Sequence, residues 1–154
     1  MAYSTIATIG KKIDLKLLIQ LVNDEGRAES AIDLDDAADE CAIRFEQAAK
    51  EAKEEIDPYL RGKYTLPLAS IPDRVIQLSD DITIYNLYKR RNRENMPESI
   101  LSIYKANIKT LEQIQQGRID LGIEGTESAG LSSEIRVNKT SADRIFNNDM
   151  WNKY

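Results

Sequence analysis

The stretch Asp33–Glu40, DLDDAADE, carries enough carboxylates to suggest a calcium site. An EF-hand loop that starts at Asp33 needs glycine at its sixth position and glutamate at its twelfth. Those positions are Ala38 and Arg44, so the spacing does not fit. Carboxylates are stabilised at a helix N-terminus, which favours Asp33 as an N-cap followed by Asp36 in the first turn. We therefore expect no metal site here.

Two other features could support catalysis, but neither has the partners that it would need. Cys41 is the single cysteine, and the sequence contains no histidine to activate its thiol. Its place on an apolar helical face favours a buried core thiol. Asp80 and Asp81 are adjacent, so on a helix they point about 100° apart and are poorly placed to act as a pair. The favoured use is a polar helix face, or a hydrogen bond that a tyrosine or an arginine donates to either carboxylate. The sequence predicts a protein that is not an enzyme and needs no cofactor.

The segment Tyr88–Arg93, YKRRNR, is the one strongly basic run. It lies at the C-terminal end of a predicted helix, where cations are favoured by the helix dipole. A contact with another protein or with nucleic acid is the alternative. The candidate interface residues in this run are Lys89, Arg90, Arg91 and Arg93.

The chain as a whole is acidic, with a formal net charge of −5 over 154 residues. Such a chain is a poor general binder of nucleic acid, because affinity for phosphate depends on Lys and Arg displacing counterions. A single cysteine excludes an internal disulfide. The N-terminus has no signal-peptide pattern, and no apolar run approaches the roughly 20 residues that span a bilayer. We expect synthesis in the cytoplasm and no membrane partner.

The apolar spacing predicts a short helix and then a long one. The first 12 residues are expected to be a loose lead-in, after which Asp14 caps the short helix. The long helix is expected to begin after Asp33 and to end near Gly62, with Gly62 in the left-handed conformation. Its apolar positions recur every three or four residues, which indicates one buried face. They are Leu34, Ala38, Cys41, Phe45, Ala48, Ala52, Ile56 and Tyr59.

An elbow at Lys63–Pro72, KYTLPLASIP, follows the long helix, and its two prolines exclude regular helix. A third helix is expected to begin near Pro72 or Asp73, and its wide apolar stripe indicates burial on more than one side. A fourth should begin at Pro97 and stop at Gly117. The predicted fold is all-α: a small antiparallel bundle of about four helices.

The chain beyond Gly117 is polar, contains three more glycines and lacks a helical period over most of its length. We therefore predict two parts, a helical bundle domain at residues 1–117 and an extended C-terminal arm at residues 118–154. Aromatic residues and arginine are frequent interface anchors, so the arm is expected to dock on another subunit through its aromatic end. The alternative is that these aromatics pack on the chain's own bundle. The candidates are Arg144, Phe146, Trp151 and Tyr154.

The central segment, Glu55–Tyr88, resembles the Mu-type head–tail connector or head-completion proteins of tailed phages. The shared pattern is Ile-Asp-x-Tyr-Leu at a helix end, then Gly-x-Tyr, Leu-Pro-Leu, another proline, and a helix with the ending Ile-x-x-Tyr-x-Leu-Tyr. The matching residues here are Ile56, Asp57, Tyr59, Leu60, Gly62, Tyr64, Leu66, Pro67, Leu68, Pro72, Ile82, Tyr85, Leu87 and Tyr88. One departure is Pro58, which is expected to bend the helix or end it at Asp57. A second is the polar stretch at residues 124–133.

The resemblance implies a structural virion protein of the neck, at the head–tail interface. Such proteins form a homo-oligomeric ring of about a dozen copies beneath the portal protein and contact a downstream neck or tail protein, with DNA only as passing cargo. In this role the elbow would fix the angle between the second and third helices. Tyr59 and Tyr64 would brace it through their hydroxyl groups, and both are candidate interface residues.

The same resemblance leads to an expectation about charge. A basic lumen would grip phosphate, so the lumen is expected to be acidic or neutral, with the basic run Lys89–Arg93 facing a protein. The alternative function is a small all-α DNA-binding phage protein, such as a packaging subunit, that uses this run to bind a duplex.

Overall fold

The computed structural model describes residues 2–91 and 95–123. Every regular element in these two ranges is helical, which confirms the predicted all-α bundle. The helices are α1 (Ile6–Ile9), α2 (Leu15–Val22), α3 (Glu40–Arg61), α4 (Asp73–Arg91) and α5 (Glu98–Gln115), with a 3-10 turn at Glu29–Ala31. None of the described helices is both long enough and apolar enough to cross a membrane.

The bundle is built on α3, α4 and α5, and α1 and α2 pack beside them. It has two cores. The first core joins the C-terminal half of α3 to the start of α4 and the end of α5, and it includes Ala52, Ile56, Leu60, Val75, Leu78, Ile82, Leu111 and Ile114. The second core joins α2 to the opposite halves of α3 and α4, and it includes Leu18, Leu21, Val22, Cys41, Phe45, Ala48, Ala49, Ile84 and Leu87. The small alanines of α3 let its neighbours approach closely.

The predicted start of α3 at Asp33 is wrong, because the helix begins at Glu40 with Asp39 as its N-cap. The Asp39 carboxylate accepts a hydrogen bond from the Cys41 amide at 2.8 Å and pairs with the Arg27 guanidinium. The hydrogen bond from Arg27, followed by that from the Cys41 amide, lowers the pKa of Asp39 to about 2. Asp33 instead forms a turn whose backbone amide donates to Asp39. The long-range ion pair with Arg27 therefore selects the cap.

The predicted end of α3 needs two corrections. The helix does not stop at Asp57 but continues through Pro58 to Arg61. Ile56 and Leu60 are fully buried in the first core, and their packing holds this last turn in helical form. Gly62 has a φ of −72°, so it is right-handed rather than left-handed. Gly117, by contrast, has a φ of 72° and ends α5 as predicted.

The apolar face predicted for α3 is confirmed at five positions, which are buried: Cys41, Phe45, Ala48, Ala52 and Ile56. Leu34 and Ala38 precede the helix. Tyr59 is half-buried, and the next residue, Leu60, takes the core position.

The lead-in predicted for the first 12 residues is not loose. Residues 2–13, named here the N-terminal strap, contain α1, which is closed by a capping box between Thr5 and Thr8. Tyr3 and Ile9 in the strap are buried. The Ser4 hydroxyl donates to Ser79 at 2.6 Å, so the strap also binds α4 through polar contacts. Hydroxyl pairs of this kind leave no apolar period in the sequence, and the prediction missed them for that reason.

Candidate functional site

The elbow after α3 holds the beginning of the C-terminal arm. Tyr64 is only 2% exposed, and its hydroxyl accepts a hydrogen bond from the Leu121 amide at 3.1 Å. The Lys63 ammonium contacts the Asp120 carboxylate at 3.0 Å. This interaction raises the pKa of Lys63. Two consecutive elbow residues thus fix where the chain goes after α5.

The first residues of the arm pack against the bundle. Gly117 reverses the chain, after which Ile119, Leu121 and Ile123 lie against the first core. The Asp120 carboxylate accepts the Gly122 amide at 2.7 Å, which stabilises its charged form and lowers its pKa. The arm therefore begins as a bound segment. The division between bundle and arm near Gly117 stays a prediction.

Tyr59, the second tyrosine predicted to brace the elbow, packs half-buried against the same core. An aromatic pair that the sequence reading did not identify lies on the neighbouring helices. The rings of Tyr85 and Tyr104 stack with their centroids 3.9 Å apart. The Tyr104 hydroxyl donates to Glu55 at 2.5 Å. Burial, and then this carboxylate, raise the pKa of Tyr104. The hydrogen bond links α5 to α3.

The basic end of α4 is used inside the chain. Arg90 donates to the Leu21 carbonyl and to both oxygens of Asp24. Arg91 donates to the carbonyls of Gln20 and Asn23. These guanidinium groups therefore satisfy carbonyl groups at the C-terminal end of α2, rather than of their own helix. Lys89 is exposed.

A third guanidinium group extends this cluster to α3. Arg44 donates to Glu25, to Glu40 at 2.8 Å and to the Val22 carbonyl at 3.0 Å, and it lies 3.4 Å from Asp24. The hydrogen bond from Arg44 lowers the pKa of Glu25 to about 2, and that from Arg90 lowers the pKa of Asp24. We call these six charged residues, three arginines and three acids, the arginine cluster: Asp24, Glu25, Glu40, Arg44, Arg90 and Arg91.

The adjacent carboxylates of α4 have different surroundings. Asp80 is buried and accepts the Thr8 hydroxyl at 2.8 Å, and its burial raises its pKa. Asp81 accepts Lys12 at 2.6 Å and Asn107 at 3.0 Å. The described partners are Thr8, Lys12 and Asn107 rather than a tyrosine or an arginine, and the predicted polar face fits the half-buried Asp81 but not the buried Asp80. The two carboxylates bind the N-terminal strap and α5 instead.

Cys41 is buried, as predicted, and its sulfur lies 3.3 Å from an Arg27 nitrogen. Within residues 2–91 and 95–123, no group of three or more His, Cys, Asp or Glu side chains is arranged to hold a metal ion. The remaining predicted interface residues lie outside the described residues: Arg93, Arg144, Phe146, Trp151 and Tyr154.

Comparison with known proteins shows the family to which this chain belongs. The family model described as bacteriophage Mu, Gp36, matches residues 3–139. Gene product J of Escherichia phage Mu is 29% identical over 101 residues, which are 66% of this chain and 69% of the relative. The Mu-like prophage FluMu protein gp36 of Haemophilus influenzae is 29% identical over 144 residues, which are 94% and 92% of the two chains. The chain therefore belongs to the bacteriophage Mu Gp36 family of phage proteins.

Proposed function

We propose that this phage protein is a structural component of the virion, a head–tail connector that forms a homo-oligomeric ring beneath the portal. In this role it links the capsid to the tail through a downstream neck protein and lets DNA pass as cargo. It performs no catalysis. Membership of the Mu Gp36 family supports a phage role, and the motif in Glu55–Tyr88 suggests which one.

The observation that carries the proposal is the contact between the elbow and the arm. A connector must present an extended segment to its neighbours in a fixed direction, since a ring closes only when each copy meets the next at one angle. Here the Tyr64 hydroxyl and the Lys63 ammonium hold residues 120 and 121 against the bundle. Tyr64 belongs to the Gly-x-Tyr part of the motif and Lys63 occupies its variable position, so this part of the chain holds the start of the arm.

The charge distribution also favours the connector, through which DNA would only pass, over the alternative of a protein that binds DNA. A DNA-binding packaging subunit would need the cations of the basic run for phosphate. Arg90 and Arg91 instead contact carbonyl groups at the end of α2, and both lie near Asp24. Lys89, Arg90 and Arg91 are all exposed, but the two arginines are already engaged by these partners.

Electron microscopy of the full chain mixed with the portal ring of its phage tests the proposal. We expect an additional ring of density beneath the portal, continuous with ordered segments that reach the portal or the next copy. A bare portal in the presence of saturating protein would contradict a direct portal contact.

A gel shift with duplex DNA tests the alternative. We expect no shift at low salt. A shift that weakens steeply as salt rises would instead indicate phosphate contacts and favour the packaging subunit.

A further inference from the structure

A small apolar depression opens on the surface where the N-terminal strap, α4 and α5 meet. Its volume is about 130 Å³, and it is lined by Lys12, Ile13, Asp81, Ile84, Ile100 and Ile103. This volume is slightly less than that of an aliphatic cavity of about 150 Å³ that holds benzene, but the depression is open to solvent, so a larger aromatic side chain can insert part of its ring. Ile103 on its rim is 45% exposed.

The polar rim of the depression narrows the choice of side chain. The Asp81 carboxylate accepts one hydrogen bond at each oxygen, from Lys12 at 2.6 Å and from Asn107 at 3.0 Å. A carboxylate has about four acceptor sites, so Asp81 retains capacity for another donor. Four isoleucines beside such a carboxylate suit an aromatic ring that carries one donor. The indole of tryptophan has this combination, an apolar body with a single N–H group.

This chain carries one tryptophan, Trp151, in the part beyond the described residues. The described chain stops at Ile123, which packs on the first core. From Ile103 to Gln115 helix α5 extends only about 18 Å. The 28 residues from 124 to 151 could span up to about 90 Å, so the depression of this copy lies within reach and the arm is also long enough to extend to another copy.

We propose that the depression receives Trp151 from the arm of a second copy of this chain. The inference rests on the proposed ring. The arm and the depression are different surfaces, so their contact is heterologous and repeats from copy to copy until a ring closes. A single buried aromatic anchor surrounded by a polar rim is a common arrangement at the centre of an interface.

The contact can be measured without assembling a ring. The full-length Trp151→Ala variant contains no tryptophan, so the emission of an added peptide of residues 142–154 reports only on its own indole. Titration with this variant should give a saturable blue shift of the peptide emission. Absence of a shift up to about 1 mM protein would overturn the proposal.

Substitutions at the rim locate the binding site. In the Trp151→Ala background, Ile103→Asp and Ile103→Lys should each weaken peptide binding at least tenfold, whichever charge is introduced. Ile71→Asp is the matched control, because Ile71 is another exposed isoleucine but lies on the elbow, and it should change binding less than twofold. Circular dichroism checks that each variant is folded. Equal binding by the Ile103 and Ile71 variants would overturn the site.

A peptide variant tests the donor. Trp151→Phe in the peptide keeps an aromatic ring but removes the N–H group, and it should bind several-fold more weakly. Equal binding would contradict the hydrogen bond to Asp81.

A mixing experiment decides which copy supplies the arm. Full-length Ile103→Asp retains Trp151, whereas full-length Trp151→Ala retains the depression. A mixture of the two should associate one to one more tightly than either variant alone. A Trp151 indole that is protected from quencher in the unsubstituted monomer would mean that each arm binds its own bundle, and it would overturn the contact between copies.

These results separate this inference from the proposed function. Peptide binding together with a bare portal would contradict the portal-bound ring but keep the arm contact. A ring on the portal together with no peptide binding would contradict the arm contact but keep the connector.

Discussion

Asp39 shows how one side chain connects a helix start to a distant loop. It caps α3 through the Cys41 amide and pairs with Arg27, and its side chain is only 7% exposed. Because the folded state holds its pKa near 2, below the usual value of 3.8, the charged carboxylate stabilises the fold. That stabilisation is present above about pH 4 and is lost as the pH falls through about 2.

We expect Asp39→Asn to lower the free energy of unfolding at pH 7 because the amide loses the charge-assisted pair with Arg27. The difference from the unsubstituted protein should narrow as the pH falls from about 4 to 2, where the carboxylate itself becomes protonated. Urea unfolding followed by circular dichroism across this pH range measures it. Asp35→Asn, at an exposed position of the same acidic stretch, is the control. A difference that stays constant down to pH 2 would contradict the assigned cause.

Gly62 and Gly117 both follow a helix, but we expect their substitution by alanine to change the free energy of unfolding in opposite directions. Gly62 is right-handed, and nothing lies within 4 Å of the position of an added Cβ. Gly62→Ala should therefore raise the free energy of unfolding by about 0.4–1 kcal/mol, through the lower entropy of the unfolded chain. Gly117→Ala should lower it, since Gly117 has a φ of 72°. Changes of the same sign in thermal unfolding would contradict these conformations.

At the scale of elements, the elbow is the joint on which the arm depends. Tyr64→Phe removes the hydroxyl that accepts the Leu121 amide and keeps the ring in the first core. We expect a loss of about 0.5–1.5 kcal/mol in unfolding free energy. We also expect faster hydrogen exchange at the Leu121 amide, with the α4 amides unchanged.

Tyr59→Phe is the matched control for that prediction. Tyr59 lies in the same motif and packs half-buried against the first core, whereas the hydrogen bond to Leu121 is made by Tyr64. Hydrogen exchange over residues 118–123 in the Tyr59→Phe variant should therefore match that of the unsubstituted protein. Unchanged exchange at Leu121 in Tyr64→Phe would mean that apolar packing alone holds the start of the arm.

The sequence predicted those helix segments and helix ends that nearby residues determine. The apolar period located the body of α3, and Gly117 located the end of α5. The prediction failed where a residue far away in the sequence determines the local structure. The prediction placed the cap of α3 at Asp33, whereas the ion pair with Arg27 places it at Asp39. Ser79 and Thr83 of α4 are buried and contact Ser4, a polar contact that no apolar period in the sequence predicts.

The candidate site was predicted in part. The elbow tyrosines were identified from their motif, and Tyr64 does contact the polar backbone as expected. The depression was not anticipated, because its lining comes from three segments that are far apart in the sequence: Lys12–Ile13, Asp81–Ile84 and Ile100–Ile103. No local period relates them.

At the scale of the whole molecule, the arm and the bundle should respond separately to substitution. We expect Trp151→Ala to leave the helicity of the bundle unchanged and to impair assembly on the portal. Far-ultraviolet circular dichroism and electron microscopy measure the two effects. A loss of more than about 2 kcal/mol from the free monomer would instead identify Trp151 as part of a core within one chain.

The arginine cluster has a consequence for how the molecule meets a polyanion. Its three guanidinium groups face three carboxylates and several carbonyl groups. Binding to a duplex gains free energy because protein cations release condensed counterions from the DNA. About 0.9 counterion is released for each phosphate that is neutralised. A guanidinium that is already paired must first leave its partners, so it adds little to that release. In the proposed connector, this end of the bundle would therefore attract a passing duplex only weakly, although it contains most of the one strongly basic run of the sequence.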